Sequence, residues 1–175
     1  MIKNIALGLG AVLIIIQFFQ IDKNQPPVDP NLDFISLEKP SMEVENLLRS
    51  ACYDCHSYES EYPWYTNIQP VAWMIDHHID HSQEYLNFSE WGNYSLSRAD
   101  HKAEEVIEYT ENGEMPLFWS YRLMHKEAQL TDDQRQVIMD YFTDLRVQIQ
   151  AKQVDANGGN STPDANDANA TSESD

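Results

Sequence analysis

Cys52-Tyr53-Asp54-Cys55-His56 is where the chemistry of this chain concentrates. Two thiols three positions apart project from one side of a helical turn. Thiols so placed can add to the two vinyl groups of haem, and the histidine next in sequence can give the iron an axial nitrogen. These are the only two cysteines in the chain, so no disulfide scaffold competes for them. A covalently held haem also fills a core that about 110 residues pack poorly by themselves.

Three other chemistries use the same residues. A thioredoxin-like dithiol wants a βαβ setting, and no alternating apolar run of strand length is present. A zinc site from Cys52, Cys55, His77 and His81 has a sound ligand set, but its spacer of 21 residues exceeds the usual ~12–15. A Cys52–Cys55 disulfide would close almost no loop. The expected cofactor is therefore haem c, one per chain.

The second axial position has several candidates. Met115 stands in Gly113-Glu114-Met115-Pro116, where the proline stiffens the loop and a thioether would suit electron transfer. Its bland role is to fill a gap in the core. Met124 shares the loop, His78, His125 and His101 are alternative ligands, and an open position is a further possibility. Tyr62, Trp64, Tyr65, Trp73, Phe88, Trp91 and Trp119 read first as core and second as a haem wall. A carbonyl of Pro70 or Pro63 is the expected partner for Nδ1–H of His56.

Four helices must position these groups. Ser41 caps one that runs to about Ser57, with Val44, Leu47, Leu48, Ala51, Cys52 and Cys55 on one face. A second starts at Pro70. The third covers about Ser97–Asn112, with Ala99, Ala103, Val106, Ile107 and Thr110 as its stripe and Gly113 as its stop. Thr131-Asp132-Asp133-Gln134 is a capping-box pattern that opens the fourth, whose apolar face is Val137, Ile138, Tyr141, Phe142, Leu145 and Ile149. The expected class is all-α: a small cytochrome c-like bundle of about four helices around a covalent haem, plus an N-terminal transmembrane helix.

The ends differ from this bundle. Residues 4–21 hold 18 residues without a charge, at the short end of what spans a bilayer. No small-residue cleavage site comes after them, so residues 1–21 are expected as an uncleaved anchor. Residues 22–40 carry four prolines and read as an extended tether. Residues 41–152 are the haem domain, and 153–175 a disordered acidic tail. Of 175 residues 29 are acidic and 11 basic, a formal net charge of −18. That excludes nucleic acid as a partner and suits a redox protein with a basic docking face.

Three pieces, CYDCHSYESEYPWYTNIQPVAW, LNFSEWGNYS and HKAEEVIEYTENGEMPLFWSYRLMHKEAQLTDDQR, cover most of residues 50–146. Together they resemble the "haem-binding domain" family of bacterial membrane-anchored proteins, similar to small monohaem c-type cytochromes. The resemblance implies haem bound covalently at Cys52 and Cys55, His56 as proximal ligand and Met115 as distal ligand. Where such proteins often carry proline after the histidine matching His125, this chain has Lys126. The function expected is one-electron transfer rather than catalysis, at a bacterial inner membrane with the domain in the periplasm. The alternatives are a haem sensor or peroxidase-like enzyme with an open sixth site, and a structural zinc module.

Overall fold

The computed structural model describes residues 1–117 and 125–158, with the backbone alone for the last two. Helix α1 is Ile2–Ile16, α2 Phe34–Glu38 and α3 Met42–Leu48. A π-helical turn over Arg49–Tyr53 joins α3 directly to the short α4, Asp54–His56. Then come α5 (Val71–Tyr85), α6 (Leu96–Glu111) and α7 (Asp132–Gly158). Short 3-10 turns lie between them, and no strand occurs among the described residues. The all-α expectation holds.

The helix ends follow from local chemistry. The Ser41 hydroxyl accepts from the Val44 N–H at 3.3 Å, and Ser95 accepts from Arg98 at 3.2 Å. At α7, the Gln134 N–H donates to Thr131 Oγ1 at 3.2 Å while Gln134 Oε1 accepts from the Thr131 N–H at 2.9 Å. That reciprocal pair is the capping box. Gly113 sits at φ +71°, the left-handed conformation that lets the chain leave α6 without a side-chain clash.

α6 and α7 pack antiparallel and form the largest helix pair. Ala99, Ala103 and Thr110 are buried against Ile138, Phe142, Leu145 and Ile149, as both stripes predict. The small alanines allow close approach, and the Arg146 Nε–Asp100 ion pair at 2.9 Å bridges the two helices. α7 continues to Gly158, six positions past the boundary expected at 152; residues 159–175 of the expected acidic tail lie outside the described residues.

One expectation needs correction. The segment 22–40 is not a free tether. Phe34 is fully buried at the centre of an aromatic cluster, with ring centroids 5.1 Å from Phe88, 4.9 Å from Trp91 and 5.5 Å from Phe142. Asp33 caps α2 through Ser36 and accepts from the Tyr53 hydroxyl at 3.1 Å. Gly92 makes this docking possible: its N–H donates to Leu32 O at 2.8 Å, and a Cβ there would lie 3.0 Å from Asn31 O and Leu32 Cα.

The expected transmembrane helix is not supported by the helices described. No helix among the described residues is long and apolar enough to cross a membrane. α1 has 15 residues, about 22 Å at ~1.5 Å per residue. Just past its end the chain meets the domain. Gln17 Nε2 donates to Gln69 O at 3.0 Å, and the Gln69 N–H donates to Gln17 Oε1 at 2.9 Å. α1 itself contributes no buried residue.

Candidate functional site

The C-x-x-C-H segment occupies the end of a helix that is not uniformly α. The π turn over Arg49–Tyr53 inserts an extra residue into the ladder, a distortion frequent at functional sites. The extra residue rotates the last turn of the helix relative to α3. Tyr53 is buried and stacks on Phe88 at 5.1 Å with rings 4° apart, while Cys52 and Cys55 are half-buried and unpaired. The helix ends at His56. There Ser57 turns extended, and its hydroxyl donates to Tyr53 O at 2.8 Å.

His56 is held by main chain. Its Nδ1 lies 3.1 Å from Ser82 O and 3.0 Å from Leu86 O, carbonyls from the last turn of α5 and the residue just past it. A carbonyl oxygen only accepts, so Nδ1 must carry the proton and donate. Nε2 is then the nitrogen with a free lone pair. Burial lowers the pKa of His56, and desolvation outweighs the two hydrogen bonds, so the ring is kept neutral. A neutral imidazole with Nδ1–H fixed by carbonyl oxygen is the oriented form that a metal takes. The expected partners, Pro70 and Pro63, do not provide this bond.

A cavity of about 290 Å³ opens beside this histidine. Ala51, Cys52 and His56 line it from the C-x-x-C-H helix. Ser82, Tyr85 and Leu86 line it from the end of α5, with Phe88 next to them. Val106, Tyr109 and Thr110 come from α6, and Met115 and Leu117 from the loop beyond. Its walls are mostly apolar. Cys55 lines a second, smaller cavity of about 40 Å³ with Tyr65, His78 and His125, and Leu117 borders both.

The loop that carries Met115 is tied at several points. The Met115 N–H donates to Tyr109 O at 3.1 Å. Arg135 Nη1 donates to Thr110 O at 2.9 Å and to Met115 O at 3.1 Å. The α6 terminus, the loop and the first turn of α7 thus form one hydrogen-bonded unit.

Of the other sequence candidates, His78 and His125 are in the second cavity rather than with Met115. His125 is 2.6 Å from the Tyr65 hydroxyl and 3.0 Å from Glu127. His101 is on the outer side of α6, 62% exposed, beside Glu104 and Glu105. Met124 and Trp119 lie outside the described residues. Phe88 and Trp91 are core and Phe88 lines the first cavity, whereas Trp64 and Trp73 face solvent. His81 lines the first cavity, stacked near His77.

The zinc set does not assemble. Among the described residues no group of three or more His, Cys, Asp or Glu side chains is arranged to hold a metal ion. Burial pushes both Cys52 and Cys55 up to about 12, far from the reactive thiolate of a dithiol redox centre.

An apolar cavity in a small helical bundle, faced by a neutral, pre-oriented histidine and a neighbouring thiol, defines a haem-binding module. The comparison with known families agrees. The haem-binding domain model matches residues 11–144, more than half of the chain, and the protein belongs to that family. No curated protein and no solved structure matches it. Bound there, haem supplies an iron that changes oxidation state by one electron. His56 would hold the iron, Cys52 and Cys55 would secure the porphyrin edge, and the apolar walls would exclude water.

Proposed function

We propose that this protein carries one covalently attached haem c and acts as a one-electron carrier. In this reading Cys52 and Cys55 form the thioethers, His56 is the proximal ligand and Met115 the distal one. The observation that carries it is the shared cavity. Among the described methionines and histidines weighed for the sixth position, Met115 alone lines the cavity of His56, and its loop is fastened at both N–H and carbonyl. A methionine fastened through its main chain favours an occupied sixth site, which suits electron transfer over ligand binding.

The anchoring proposal rests on α1. Most of its apolar side chains are exposed, Ile2, Leu7, Leu9 and Ile14 among them. Such a surface requires an apolar environment, and we propose that the N-terminal segment provides attachment to a bacterial inner membrane. Lys3 and the amino terminus favour the inside, which leaves the acidic domain in the periplasm. The partner is then a redox protein with a basic face.

The deciding experiment is spectroscopic. The full chain is produced in a host that attaches haem c, and oxidised and reduced spectra are recorded. A c-type reduced spectrum that persists after denaturation, with the weak near-infrared methionine–iron band when oxidised, is expected. A high-spin spectrum that responds to carbon monoxide or peroxide would replace the carrier by a sensor or peroxidase-like reading.

A further inference from the structure

The end of α1 does not hang free of the domain. Gln17 and Gln69 are joined by two hydrogen bonds. The Phe19 carbonyl accepts from Gln69 Nε2 at 2.9 Å and from the Trp73 indole N–H at 3.0 Å. Lys23 Nζ donates to Asn67 Oδ1 at 2.7 Å. Thus the exit of the apolar helix is stapled to the turn Trp64–Asn67 and the first turns of α5.

That part of the surface is itself apolar. Trp64 is 71% exposed and Phe19 62%. Ile68, Val71, Trp73 and Met74 are exposed beside them. The patch is continuous with α1 through these staples. Tryptophan combines an apolar ring with one N–H, the chemistry enriched where a bilayer meets water. With a net charge of −18, the chain gains nothing from anionic headgroups. The lipid it fits is zwitterionic and the contact is apolar.

We propose that the face formed by Trp64–Asn67 and the start of α5 seats on the bilayer surface at the headgroup–acyl boundary. This rests on the reading that α1 attaches the protein to a membrane. The face holds the domain in one orientation, with the His56 cavity at a fixed height above the lipid.

The test uses the haem-loaded full chain with phosphatidylcholine vesicles that contain a lipid bearing a carbene-generating diazirine near the headgroup end of its acyl chain. Flotation reports attachment, and mass spectrometry after photolysis reports which peptides touch lipid. Expected is flotation, with label in residues 62–76 as well as in 1–21 and none in 131–151. Replacement of Trp64 and Trp73 by Glu should remove the label from 62–76 and leave flotation and the haem spectrum unchanged. Flotation with label confined to 1–21 would overturn the seated face while the anchor stands. Protein that stays at the bottom of the gradient would overturn both. Label that persists in the Trp64→Glu, Trp73→Glu variant would also overturn the assignment of the face.

Discussion

Arg135, in the first turn of α7, donates from one guanidinium nitrogen to the carbonyl of Met115 at 3.1 Å. The same nitrogen reaches the Thr110 carbonyl at 2.9 Å. The residue proposed as distal ligand is therefore placed by a residue 20 positions later, through its main chain. Arg135→Ala should cost about 1–2 kcal/mol of stability and reduce the methionine–iron band of the oxidised protein. Arg135→Lys should restore part of the band, because an ammonium can still donate to both carbonyls. An Arg135→Ala protein with the full band would show that α7 does not position this loop.

Met115→Ala should abolish the near-infrared band and lower the reduction potential, because a thioether ligand raises it. Met124→Ala should leave both unchanged. Should the two variants behave the other way round, the sixth ligand has been misassigned.

His56→Ala should leave a protein that retains little or no haem in a six-coordinate state. The carbonyls of Ser82 and Leu86 would also lose the donor they share, although Ser82 O keeps the Leu86 N–H at 2.9 Å. Unchanged absorption of the purified variant would rule out His56 as the proximal ligand.

Phe34→Ala should destabilise the protein by about 3–5 kcal/mol, read from urea unfolding of the haem-loaded protein. The reason is its complete burial among Phe88, Trp91 and Phe142. A loss below about 1 kcal/mol would return residues 22–40 to the status of a tether.

Asp100 is held below its usual value of 3.8, chiefly by the hydrogen bond from Arg146. A lowered carboxylate pKa means that the charged form is favoured in the folded state. Its contribution is fully present above that usual value and is lost as the pH falls through the lowered one. Solvent screening keeps it below about 1 kcal/mol. Asp100→Asn should thus melt lower than the parent at pH 7 and alike at pH 2. A gap that is the same at both pH values would contradict this ion pair as its source.

The features legible in the sequence are local. The C-x-x-C-H segment announces its chemistry by spacing, and α5, α6 and α7 announce themselves by apolar periodicity, with caps at Ser41 and Thr131. The illegible ones depend on contacts far along the chain. The partners of His56 Nδ1 come from 26 and 30 residues away, and no short-range pattern marks a main-chain carbonyl. The π turn leaves no periodic trace, so periodicity marks neither Tyr53 as core nor the rotation of the two cysteines with it. Proline density in 22–40 signals extended backbone correctly, yet extension is not freedom. Phe34 and Asp33 within it bond and bury like any core residues. The pairing of Gln17 with Gln69 just past α1 is likewise a tertiary contact that hydropathy cannot see.

The strap from Phe19 to Phe34 has one more consequence, for how electrons would be exchanged. A free linker of 16 residues would let its cargo roam a radius of about 22 Å, so that a carrier could visit donor and acceptor in turn. Here Gln25 donates to the Tyr62 hydroxyl at 2.8 Å and the chain beyond it enters the core at Phe34. The reach is gone. In the proposed electron carrier such a domain would be a stationary contact, and exchange would wait on the arrival of a mobile partner.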